Sequence, residues 1–139
     1  MTTPVRTATV RSVAHETPRR RTHTYLSGLL FVVGVLHFVA PKLFDGIVPK
    51  QLPGEPRAYT YGSGVAELGV AAALAVPKTR RFGGWLAAGL FVAVFPANVQ
   101  MTVDVLGNPK SSSAFKAGVI ARLPLQIPLI VAALRVARR

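Results

Sequence analysis

Cysteine is absent from the 139 residues, and with it go disulfide bridges, thiolate nucleophiles, iron–sulfur clusters and Cys-ligated zinc. Any redox role would need a borrowed cofactor or a partner subunit. Negative charge is scarce too: five Asp and Glu stand against 17 Lys and Arg, for a formal charge of +12. So basic a balance raises nucleic-acid binding for a soluble domain. No stretch here offers a soluble domain to carry such a surface, so no nucleic-acid partner is expected. Polar outer faces are also missing: VAAALAV at 70–76 and GLFVAVF at 89–95 have none, against a water-soluble four-helix fold. The basic residues fit instead a role in fixing topology and touching anionic headgroups.

What is present is a set of apolar blocks separated by basic connectors. The spacing predicts an all-α, integral membrane four-helix bundle over 24–139, preceded by a disordered basic tail over 1–23. The first span is expected from about Tyr25 to Ala40, stopping at Pro41, and the second from about Tyr59 to Val76, stopping at Pro77. The third runs from about Phe82 to Val103 across Pro96, and the fourth from about Ala117 to Ala137, with Arg122, Pro124, Gln126 and Pro128 in its first half. The second and fourth each carry a charge, which costs ~2.5–3.5 kcal/mol at a bilayer centre, and are the weaker assignments. Arg19-Arg20-Arg21 before an apolar run resembles a twin-Arg export signal. A plain cytoplasmic anchor explains it better, because no clear small-x-small cleavage site follows.

Orientation follows from the cations. The tail holds five Arg, the 77–81 connector adds Lys78, Arg80 and Arg81, and the C-terminal end adds Arg135, Arg138 and Arg139. The other two connectors hold fewer cations together with Asp45, Glu55 and Asp104. Both termini are therefore expected in the cytoplasm. The 41–57 connector, PKLFDGIVPKQLPGEPR, is amphipathic, and its prolines forbid a long helix. Either a structured segment over the outer face or a plain linker fits it.

Ionisable residues inside spans default to a functional hypothesis. The set is His37, Glu67, Asn98, Gln100, Arg122 and Gln126, with Asp104 at the end of the third span. Given the topology, all six fall in the outer half of the membrane, which implies a polar cavity opening outward. Ser63 and Glu67 share a helical face, as do Asn98 and Thr102, and Arg122 and Gln126, while Gln100 points elsewhere. Pro96 frees a carbonyl near residue 92. Gly62, Gly64, Ala66, Gly69 and Ala73 would allow close helix approach. Against a functional role, Glu67 could simply pair with Arg122 or His37, Arg122 could pair with Asp104, and Asn98 and Gln126 could be interhelical glue. No metal site is expected, and a lone His is a weak case for haem.

The blocks GVLHFVAPKLFDGIVPKQLP (34–53), YGSGVAELGVAAAL (61–74), PKTRRFGGW (77–85), FPANVQM (95–101) and RLPLQIP (122–128) together resemble the DoxX-like family of small bacterial four-helix membrane proteins. The resemblance implies a four-helix bundle, and for some members a link to quinone-coupled or membrane-associated redox complexes. It carries only a candidate-site role onto His37, Glu67, Asn98 and Gln126; with Arg122, which shares their depth, these are the candidate ligand-binding residues. A redox-associated subunit holding a quinone is the first function it suggests. A small-molecule or lipid binder or transporter is the second, and a structural subunit of a membrane complex the third. The expected partners are the lipid bilayer and either a membrane redox partner or a second copy of the chain.

Overall fold

The structure, a computed structural model, describes residues 21–139, and among them every regular element is helical. The helices are α1 (Thr22–Val39), the single turn α2 (Lys42–Asp45), α3 (Pro56–Ala75), α4 (Arg80–Gly107) and α5 (Ser113–Ala137). Prolines set most of the boundaries, because the residue ahead of a proline is pushed out of the helical region. Ala40 (φ −132°, ψ 55°), Val76 (φ −78°, ψ 122°) and Asn108 (φ −92°, ψ 112°) precede Pro41, Pro77 and Pro109 and close α1, α3 and α4. Extended Glu55 precedes Pro56, which opens α3 from the first-turn position where its missing N–H costs nothing. α5 starts on Ser112, whose hydroxyl accepts from the Phe115 N–H at 3.2 Å.

By length and composition α1, α4 and α5 can each cross a membrane. α3 falls short of that standard, since Glu67, Arg57 and many small or hydroxylated residues dilute its apolar content. α5 meets it despite Arg122 and Gln126, and remains one helix through Pro124 and Pro128. Outward faces are apolar, with Phe31, Val32, Phe82, Trp85, Val92, Leu125 and Ile127 exposed.

Each long helix runs antiparallel to the next. α1 packs closely on α3 and α4 on α5, and α3 meets α4 to join the two pairs. Gly84 brings α4 onto α5: a Cβ there would lie 2.5 Å from the Ala137 nitrogen and 2.9 Å from the Ala133 oxygen. The apolar core, with Leu26, Leu30, Leu74, Ala87, Phe91 and Ala133, fills one half of the assembly. At that end Arg80 donates to the carbonyls of Leu74 (3.2 Å) and Ala75 (3.4 Å), and Arg81 to Ala137 (3.4 Å), satisfying the orphan carbonyls that close α3 and α5.

Two expectations change. α1 begins at Thr22, so Thr22 and His23 belong to a helix rather than to the tail expected over 1–23; the tail's first twenty residues lie outside the described ones. Gly62 and Gly69 are open on their Cβ sides and mediate no close approach, whereas Gly64 does.

Candidate functional site

The 40–55 segment is the structural key to the half of the molecule that the core leaves unfilled. After α1 stops, α2 makes one turn and the chain folds back as a strap to Pro56. Gly54, at φ +91°, supplies a turn that a side chain would strain. Asp45 latches the strap to α3. Its carboxylate receives the Arg57 guanidinium (Nε at 2.9 and 3.2 Å, Nη2 at 2.7 Å) and the Thr60 hydroxyl at 2.7 Å. These bonds, Arg57's first, hold the Asp45 carboxyl below the usual aspartate range. Tyr59 ties the other end, its hydroxyl donating to the Pro53 carbonyl at 2.6 Å.

Beneath the strap lies a cavity of about 250 Å³. Phe44, Ile47, Val48 and Leu52 of the strap form its apolar roof, and Val33, Val94 and Ala97 line its walls. Four of the five residues singled out from sequence reach it: His37 from α1, Glu67 from α3, Asn98 from α4 and Arg122 from α5, with Ser63 beside Glu67. All lie toward the strap end. Thr60, Ser63 and Glu67 make one stripe on α3 at three- and four-residue spacing.

His37 and Glu67 meet because Gly64 has no side chain. A Cβ at Gly64 would lie 2.8 Å from the His37 Cβ and 2.7 Å from a Phe38 ring carbon. His37 Nδ1 is 2.8 Å from the Val33 carbonyl and 3.2 Å from Glu67 Oε2. A carbonyl only accepts, so Nδ1 carries a hydrogen and spends it on Val33. Glu67 Oε2 is consequently buried without a hydrogen bond. The imidazole is fixed further by stacking on Phe44, with centroids 3.7 Å apart. Among the described residues its Nε2 takes no hydrogen bond. The carboxylate and imidazole thus offer a ligand two hydrogen-bonding positions that the protein itself leaves open.

Gln126 is buried but does not line the cavity. Its amide donates to the Phe91 carbonyl, and its Oε1 accepts from Asn98 Nδ2 at 3.4 Å. It therefore braces α5 against the part of α4 that Pro96 loosens, one carbonyl earlier than residue 92. The Thr102 hydroxyl lies 2.9 Å from the Asn98 carbonyl of its own helix and 3.3 Å from the Val119 carbonyl of α5, its one hydrogen shared between them at the same joint. Gln100 turns outward and donates to Asp104 at 2.9 Å, so Asp104 is engaged on its own helix rather than with Arg122. Arg122 is exposed at the cavity's edge, and among the described residues no ion pair joins it to Glu67 or Asp104.

Sequence reasoning missed Phe44, Asp45 and Thr60. The stripe of Thr60 with Ser63 and Glu67 carried a signal for one of them. That Asp45 would find Arg57 across a proline-broken loop depends on where the strap folds, which spacing does not encode.

The family model described as Domain of unknown function (DUF8561) matches residues 26–137, a stretch that holds the strap and all five candidate residues. No curated protein and no solved structure matches the chain.

Proposed function

Because the chain belongs to the DUF8561 family, which carries no assigned activity to transfer, we propose its function from the site alone: an integral membrane protein that holds the polar head of an amphipathic small molecule, a quinone being the head that fits best. It would cross a bacterial plasma membrane four times as a four-helix bundle, with both termini in the cytoplasm and the strap outside. The apolar outward faces support the membrane reading. The Lys and Arg gathered at the end opposite the strap support the orientation. α3 would cross as the most internal helix, its Glu67 facing protein rather than lipid.

The observation that carries the ligand reading is Glu67, nine-tenths buried at the cavity with an oxygen that no protein donor satisfies. Leaving such a group unpaired costs more than making the bond gains, so the site is built for a partner. A volume of about 250 Å³ lies below the ~300–1,000 Å³ typical of pockets that enclose a whole drug-sized ligand. It would take a ring-sized head and leave an apolar tail to run into lipid. A quinone–quinol head carries an oxygen at each end of its ring: the quinol hydroxyl at one end would donate to the unpaired Glu67 oxygen and the oxygen at the other would accept from Arg122, while the strap roof covers the ring. A proton given to or taken from such a head would pass through Glu67 or His37. A lipid carrier is the second reading, favoured by the exposed Arg122 cation at the cavity's edge, which suits an anionic head.

Titration of the full chain in nanodiscs with a short-tailed quinone tests this by calorimetry. Saturable one-to-one binding is expected. Glu67→Gln and His37→Ala should each weaken it about ten- to a hundredfold with helix content unchanged. Absence of saturable binding to wild-type protein would sink the quinone reading.

A further inference from the structure

The end of the molecule opposite the strap holds a second concavity, of about 480 Å³, formed where three segments distant in sequence meet. His23 comes from the first turn of α1, Arg80 and Arg81 from the start of α4, and Arg139 from beyond α5, over a floor of Pro77 and Val136. The four described acids, Asp45, Glu55, Glu67 and Asp104, all belong to the strap-side half of the chain's helices and loops, and none lines it. Arg80 and Arg81 are held by their bonds to the carbonyls that end α3 and α5, so their guanidinium groups are positioned in advance. Each guanidinium has five N–H donors, and the carbonyls engage only two from Arg80 and one from Arg81. Fixed, forked donors converging on one concavity match the oxygens of a phosphate. The chain's own residues 1–20 are a poor occupant, since four Arg and one Glu leave them positively charged.

We propose that this concavity binds the phosphate of an anionic phospholipid in the leaflet at the basic end. The apolar floor and the flanking exposed Phe82 and Trp85 accept the start of its acyl chains. The inference rests on the membrane reading but is independent of the cavity under the strap. A basic pocket between helix ends differs from diffuse positive charge in the residues it depends on: only the lining cations should matter.

Trp85 is the chain's single tryptophan and lies one turn beyond Arg81, which makes it a local reporter. The full chain is reconstituted in phosphatidylcholine vesicles containing phosphatidylglycerol, with either lipid brominated on its acyl chains, and Trp85 quenching is measured. Quenching by brominated phosphatidylcholine reports insertion, so failure of the membrane reading is seen separately. Brominated phosphatidylglycerol should quench with a relative association constant about fivefold or more above phosphatidylcholine. Arg81→Gln with Arg139→Gln should bring that ratio close to unity, the Gln amide still able to reach the Ala137 carbonyl; Arg139→Gln alone, the milder change, should lower it in part. Arg135→Gln, equal in charge but outside the concavity, should leave it unchanged. No preference in the wild type, or equal loss in Arg135→Gln, overturns the proposal. Inorganic phosphate replacing chloride at equal ionic strength separates the sources. A preserved preference supports the lipid, and its abolition overturns the lipid in favour of the free ion.

Discussion

The two ends of this molecule are built from the same four long helices on opposite principles. At the basic end small residues let the helices interlock: Leu74, Ala87 and Ala133 are wholly buried, Gly84 sits on the backbone of α5, and arginines close the helix termini. At the strap end the helices stand around a cavity, prolines lie within α4 and α5 and each removes a backbone donor, and a carboxylate oxygen is buried without a bond. The difference teaches where each property resides. Packing at one end carries the stability that lets the other end keep an unsatisfied polar site.

The sharpest way to break this comparison is to remove packing from the basic end. Leu74→Ala should destabilise by about 2–5 kcal/mol, the range for emptying a fully buried leucine, in detergent unfolding followed by circular dichroism. Gly84→Ala should cost about 1–3 kcal/mol by overpacking, because the new methyl group meets backbone that cannot swing aside. Its control is Gly28→Ala inside α1, where a Cβ meets nothing within 4 Å, expected to stabilise by about 0.4–1 kcal/mol rather than destabilise. Glu67→Gln at the strap end should not destabilise, since no protein hydrogen bond is lost and a buried, unpaired carboxylate gives way to a neutral group. A large destabilisation there would mean that Glu67 is a structural ion pair with His37 and that the division is wrong.

The smallest expected effect is local and depends on pH. Asp45 titrates below its ordinary value, so the latch is fully formed above the unfolded aspartate pKa near ~3.9. It is lost as pH falls through the lower, folded value. Hydrogen exchange of the 46–55 amides should accelerate on that acidification. Asp45→Asn should reproduce the acceleration at neutral pH, with exchange in α4 and α5 unaffected.

Much of this was legible in the residues. The order and approximate limits of the four long helices follow from apolar runs, three of them closed at prolines, whereas the single turn α2 has no such signal. The gathering of His37, Glu67, Asn98 and Arg122 around one cavity follows from depth along antiparallel helices, since residues at one height must face a shared space or lipid. What spacing could not resolve was rotation about each axis. Gln126 shares a stripe with Arg122, yet Gln126 turns to the Phe91 carbonyl while Arg122 stays at the edge. Gly64 and Gly62 look equivalent in sequence, but only Gly64 faces α1. The strap was the least legible part, because its path is set by tertiary bonds of Asp45 and Tyr59 rather than by any period.

The pairing of α1 with α3 and of α4 with α5 has a consequence for assembly. Each pair is a hairpin of neighbours in sequence, and the cavity takes walls from both: His37 and Glu67 from one, Asn98 and Arg122 from the other. Neither hairpin owns a binding site. The site exists only where the two hairpins are docked, so ligand and docking are thermodynamically linked. A chain severed in the 76–79 connector and expressed as two fragments would recover ligand binding only as the fragments reassociate, and an occupied cavity would hold them together.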